Sequence, residues 1–165
     1  MTVETGTGVE NADSYVSIAE ADSYNTGTSW GAAETAEKEA ALITASEYLD
    51  IRFNERYVGR RQSASQSLSW PRYDALVIEN MSSYELPSVP VELKKSACYL
   101  AQLIIDGTDL YETSDDFGSI KSESSTFGPF SESIEYAGGK SKIKSFPKVT
   151  MLMNRILKSF TIERA

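Results

Sequence analysis

Histidine is absent from this chain, and that absence removes a good deal of chemistry. Ser-His-Asp and Cys-His catalysis both need an imidazole base, and imidazole is the commonest ligand of zinc and non-haem iron. Cysteine is nearly absent too: Cys98 stands alone, so an intrachain disulfide is impossible and a disulfide-stapled secreted domain is excluded. Long apolar runs are missing. Leu103, Ile104 and Ile105 form one of the longest, far below the roughly 18 residues of a membrane span. No basic stretch followed by an apolar one opens the chain, so no signal peptide is expected. These absences predict a soluble protein made and used in a reducing cytoplasm, or in something assembled there, with no membrane contact.

Three further patterns fall short of a site. Gly139, Lys140 and Ser141 resemble the end of a phosphate-binding loop, but Ile134 stands where its first glycine would be. Gly6 and Gly8 have neither a strand before them nor a helix after them, and carry no dinucleotide signal. Asp106, Asp109, Glu112, Asp115 and Asp116 lack the spacing of a calcium loop and read as a solvated acidic helix end. No catalytic residue, cofactor or metal is expected, and the chain is not read as an enzyme.

What is present is the composition of a folded domain. With 165 residues, 41% hydrophobic and 24% charged, one domain with a real core is expected across 1–165. The net charge of −8 is unevenly spread. Residues 1–50 hold ten acids and one base, whereas residues 140–165 hold seven bases and one acid. Such polarity speaks about partners, since unlike charged ends can meet in self-association.

Along the chain, residues 1–13 are small, polar and acidic and are expected as a mobile or extended arm. Ser17 and Glu20 have the capping-box spacing and start a short helix to about residue 24. Trp30 is expected to tuck onto the core. Ala41, Leu42, Ala45, Tyr48, Leu49 and Phe53 recur at three- and four-residue steps and predict the central helix, roughly 33–53. Residues 59–89 show no period and predict a long structured loop, a length that is usually functional. Pro90 opens the next helix, whose face is Leu93, Ala97, Leu100, Ala101, Ile104 and Ile105 and whose end is Gly107. Cys98 beside that face is expected to be a small buried hydrophobe. Residues 119–137 alternate around Gly128 and Pro129 and predict a β-hairpin arm that needs a neighbour to lie on. A helix from 147 to 160, striped by Val149, Leu152, Met153, Ile156, Leu157 and Phe160, closes the chain within a basic segment, 140–165. The fold class expected is mainly α: a small bundle of about four helices, an inserted hairpin arm and a long structured loop.

One composite feature remains. Arg52, Arg56 and Arg60 are four apart and form a basic stripe if the helix persists. With Phe53, Tyr57, Arg61, Trp70, Arg72 and Tyr73 they make the basic and aromatic mixture of single-stranded nucleic-acid binders. The preferred reading is the competing one: the aromatics belong to the core or to a protein interface, and the arginines pair with the acidic N-terminal half.

At these residues the chain resembles a known family. Residues 13–24 (DSYVSIAEADSY), 38–43 (KEAALI), 48–50 (YLD), 59–61 (GRR) and 66–72 (QSLSWPR) carry the likeness. So do 86–92 (LPSVPVE), 118–123 (GSIKSE) and 128–136 (GPFSESIEY). They are similar to the head–tail connector adaptors of tailed bacteriophages, whose relatives are often labelled DnaT-like single-stranded-DNA-binding proteins. The resemblance implies a structural virion protein at the head–tail junction, made in the host cytoplasm. It implies a homo-oligomeric ring, a dodecamer, between the portal protein and a tail or neck completion protein, with packaged DNA passing through its channel without specific binding. Interface residues for ring or portal are then expected in three places. The loop contributes Arg56, Arg60, Arg61, Trp70, Pro71 and Arg72, and the hairpin arm Ile120, Phe127, Phe130, Ile134 and Tyr136. The basic tail contributes Lys140, Lys142, Lys144 and Arg164. Single-stranded-DNA binding is the alternative function.

Overall fold

The computed structural model describes residues 1–26, 29–79, 82–85, 88–111, 123–127, 130–134 and 145–157, with the backbone alone at 77–79, 82–85, 123–127 and 130–134. The chain divides into two compact units, residues 1–108 with 146–165, and residues 109–145. Mainly α is the right class. In order come α1 (Ile18–Tyr24), α2 (Thr35–Phe53), strands β1 (Arg60–Arg61), β2 (Arg72–Tyr73), β3 (Leu76–Glu79) and β4 (Ser82–Glu85), α3 (Val91–Ile105), β5 (Glu123–Phe127), β6 (Phe130–Ile134) and α4 (Pro147–Met153).

Local chemistry accounts for the helix ends. At α1 the Ser17 hydroxyl accepts from the Glu20 amide at 3.3 Å, and the Glu20 carboxylate accepts from the Ser17 amide at 3.0 Å. That reciprocal cap satisfies two donors that the first turn leaves open. Gly107 stops α3 with φ of 88°. There Thr108 donates to the Leu103 carbonyl at 2.8 Å and Gly107 to that of Ile104 at 2.9 Å, closing the last turn.

In the larger unit, α3 packs against α2 and against α4. The stripe of α2 meets its prediction in full: Ala41, Leu42, Ala45, Tyr48, Leu49 and Phe53 are all buried. On α3 the buried face is Leu93, Ser96, Ala97, Cys98, Leu100 and Ala101 with Gln102, so it turns away from Ile104 and Ile105, which are only half-buried. Cys98 is buried as expected, and burial pushes its thiol up to about 12. Trp30 is buried in a short 3₁₀ turn, where its Nε1 donates to Asp22 at 2.7 Å.

Three expectations change. Residues 1–13 are tied into the fold rather than left as an arm: Glu4 donates its amide to the Ser14 carbonyl at 2.9 Å and Asp13 to that of Thr2 at 2.8 Å. The final helix stops at Met153 instead of continuing to Phe160, which lies outside the described residues. The chain turns there because Ile156 accepts from the Val58 amide at 3.4 Å and Leu157 bridges to Tyr57. The span 59–89 contains two antiparallel strand pairs, β1–β2 and β3–β4. The run Leu76, Val77, Ile78 was the available signal for β3.

The smaller unit holds the predicted hairpin, with Phe127 opposite Phe130 and Glu123 opposite Ile134. Ile120, Tyr136, Lys140, Lys142, Lys144 and Arg164 lie outside the described residues.

Candidate partner-binding surface

The long loop between Val58 and Ala75 is built inward from a few side chains. Its neck is narrow. At Gly59, φ is 70° and an added Cβ would sit 2.3 Å from the Tyr73 carbonyl oxygen, so only glycine lets the two strands close. Across that neck the guanidinium of Arg72 donates to the carbonyls of Val58 and Gly59, both at 2.8 Å, and of Ser69 at 3.2 Å. Arg61 reaches into the loop and donates to the carbonyl of Gln66, and to that of Leu68 at 3.4 Å. Gln66 completes the knot, donating to the carbonyls of Leu68 at 2.8 Å and Pro71 at 3.1 Å while accepting from the Ser63 amide at 2.8 Å. A planar five-donor fork can span several carbonyls at once, and that geometry explains arginine at both places.

The loop is pinned to α2 through a buried polar centre. Tyr15 donates its hydroxyl to Asp50 at 2.6 Å, and the Ser69 amide donates to Asp50 at 2.8 Å and to the Tyr15 oxygen at 3.0 Å. Burial drives the Asp50 carboxyl above its ordinary value, against the lowering pull of those hydrogen bonds and of Arg61. The Tyr15 and Tyr57 phenols are pushed well up, chiefly by burial and next by the charge of Asp50. Beside this centre Trp70 is fully buried, edge-on to Tyr57 at 5.9 Å between ring centroids. The Trp70–Pro71 peptide bond is cis.

A second carboxylate organises the N-terminus. Glu4 is buried and accepts four backbone amides, from Gly6 at 2.8 Å, Thr7 at 3.0 Å, Gly8 at 3.1 Å and Val9 at 2.8 Å. The folded segment then leans on the loop: the Ser67 hydroxyl donates to the Ala12 carbonyl at 2.5 Å.

These contacts redistribute the predicted site. Trp70 and Pro71, expected at an interface, are buried in the chain's own core because the loop closes around them. Arg61 and Arg72 spend their guanidiniums on loop carbonyls, not on the acidic N-terminal half. The stripe Arg52–Arg56–Arg60 does not form, since α2 ends at Phe53, Arg56 sits in a 3₁₀ turn and Arg60 lies on β1. Arg60 stays at the surface, 79% exposed and paired to Asp74 at 2.6 Å. Opposite it in the β1–β2 ladder is Tyr73, also exposed, and Arg52 is exposed on the last turn of α2. Phe127, Phe130 and Ile134 take their places in the hairpin strands. Sequence reasoning passed over Glu4, Tyr15, Asp50 and Gln66. An acid before closely spaced glycines, and an acid flanking the apolar stripe of α2, were the visible signals.

Among the described residues no cluster of histidine, cysteine or carboxylate could hold a metal ion, and no helix is long and apolar enough to cross a membrane. The larger unit is thus a mainly α body with a cross-braced loop. The chain belongs to the family described as "Putative DnaT-like ssDNA binding protein", whose model it matches over residues 1–165. No curated protein and no solved structure gives a significant match.

Proposed function

We propose that this chain is a non-catalytic assembly subunit of the head–tail connector type, which associates with copies of itself and with a portal protein. The observation that carries this reading is where the cations go. Arg61 and Arg72 are consumed by carbonyls of the chain and Trp70 by its core, so the basic and aromatic track needed to run along a nucleic-acid strand is broken up.

Single-stranded-DNA binding is the second reading, and the family description supports it more directly than the first. Its favouring feature is the exposed pair Arg60 and Tyr73, side by side across β1–β2, with Arg52 also at the surface. A stacking ring next to a guanidinium is the usual unit of such binding.

One experiment separates the two: portal pull-down and oligonucleotide binding measured side by side, for the full chain and for Arg60→Ala with Tyr73→Ala. The assembly reading expects portal capture by the full chain and no oligonucleotide affinity in either protein. Oligonucleotide binding that falls with salt, by roughly 0.7 in log K per log salt for each phosphate contacted, and that the double variant abolishes, would establish the second reading instead.

A further inference from the structure

We propose that residues 5–12 are a strap latched by Glu4, and that this strap and the loop tip 62–68 open and close as one unit. Opening it returns the Arg61 guanidinium from the loop carbonyls to the surface. The base of the strap is fixed. Val3 bridges to Ser14, and the amides of Asp13 and Ser14 donate to the Thr2 carbonyl at 2.8 and 3.2 Å. Above that base the buried Glu4 carboxylate gathers the amides of Gly6, Thr7, Gly8 and Val9. Charge-assisted bonds are the strong ones, and four of them converging on one carboxylate make the turn depend on a single side chain.

The latched turn lies against the knot of the loop. The Ser67 amide donates to the Val9 carbonyl at 3.4 Å, and the Ser67 hydroxyl to that of Ala12 at 2.5 Å. A Cβ added at Gly8 would stand 3.5 Å from the Gln66 side-chain oxygen and 3.6 Å from the Ser63 Cβ. Gln66 is buried although Ser65 and Ser67 on either side of it are exposed. Its bonds to Ser63, Leu68 and Pro71 shape the loop tip, and the Gln66 and Leu68 carbonyls in turn hold Arg61.

Strap and tip end at the same buried centre. Tyr15 follows the one and Ser69 the other, and both donate to Asp50. That centre is the hinge. Outside it the two segments are held by polar bonds to a few atoms, whereas α2 and α3 share a continuous apolar face. Segments poor in buried apolar contacts open at lower free energy than the core, often as cooperative units. Glu4 thereby governs whether Arg61 serves the fold or a partner, without touching it. Nothing in this device depends on which partner the surface meets.

The test is residue-resolved hydrogen exchange on the full chain, comparing the wild type with Glu4→Gln and with Gln66→Leu. The Gln62 and Ser63 amides bond to the Pro71 carbonyl and the Gln66 side chain, not to the strap, and so report on the tip. Gly6 and Thr7, bonded to Glu4, report on the strap. In the wild type all four should share one opening constant, larger than that of amides in the middle of α2. Glu4→Gln should speed Gln62 and Ser63 about tenfold or more, and Gln66→Leu should do the same to Gly6 and Thr7, because coupling between two sites is reciprocal. Modification of Arg61 by phenylglyoxal, located by mass spectrometry, should quicken in both variants. If one variant fails to fold, the other and the wild-type pattern still decide. Strap amides that speed while the tip keeps its rate, a tip that exchanges no faster than α2, or an unchanged Arg61 reactivity would overturn the proposal.

Discussion

The loop between Val58 and Ala75 and the helix pair α2–α3 are both well packed, yet they are held by different means. In the helix pair, the apolar stripe of α2 and the small residues Ala97 and Ala101 of α3 share the work across many contacts. In the loop, a handful of polar side chains each satisfy several backbone groups: Arg72 three carbonyls, Gln66 two carbonyls and an amide. A core of the first kind yields gradually to substitution. A lattice of the second kind fails at particular atoms, because a buried carbonyl stripped of its donor has no water to turn to. Irregular backbone is therefore no sign of loose structure here.

The largest test of that contrast is Trp70→Ala, which removes the largest of the loop's buried apolar side chains. A loss of about 3–5 kcal/mol is expected, read from denaturant midpoints. A fall no larger than that of an exposed substitution would mean the polar lattice suffices alone. Next is Arg72→Lys, which keeps the charge but cannot span three carbonyls. It should cost roughly 2–3 kcal/mol, and Arg72→Met should cost about as much. Recovery with lysine would show that charge, not the fork, matters.

Glu4→Gln probes the N-terminal turn, since an amide offers one acceptor oxygen where four backbone amides point. The expected cost is about 1–3 kcal/mol, with faster hydrogen exchange at the amides of Gly6, Thr7, Gly8 and Val9. Unchanged exchange there would show that another contact holds the segment. Asp50 gives a pH test. Its carboxyl is raised above 3.8 by burial, so the folded chain takes up a proton more readily than the unfolded one. The stability contributed by this group is then greatest below the unfolded value and is lost as pH rises through the folded one. Asp50→Asn should flatten stability over that window, and an unaltered pH profile would assign the slope to other groups. Smallest of all is Arg60→Ala. Its ion pair with Asp74 is exposed on both sides, so at most about 1 kcal/mol is at stake, and the variant reports on surface function with little disturbance of the fold.

Much of this architecture was legible beforehand. The stripe of α2, the Ser17–Glu20 cap, Gly107 as a stop and the Phe127–Phe130 hairpin tip each follow from periodicity or from backbone chemistry within a few residues. The C-terminal helix was overextended, since apolar spacing continues past Met153 while Ile156 and Leu157 are recruited by Tyr57 and Val58, about a hundred positions away. The candidate site was legible only in its membership. Arginines, tryptophan and tyrosine were identified as a group, but nothing in their spacing tells which guanidinium will turn inward.

That division has a physical root. Helix stripes, caps and hairpin turns are decided by neighbours close in sequence, through backbone geometry and the period of apolar side chains, so the sequence determined them by itself. It also settled the missing imidazole and the uneven charge. Whether Glu4 folds back onto the amides that follow it and whether Arg72 closes the neck of the loop depend on which groups compete for the same few buried places. The tertiary structure alone decided those outcomes, because desolvation and hydrogen-bond partners are settled only when distant segments meet.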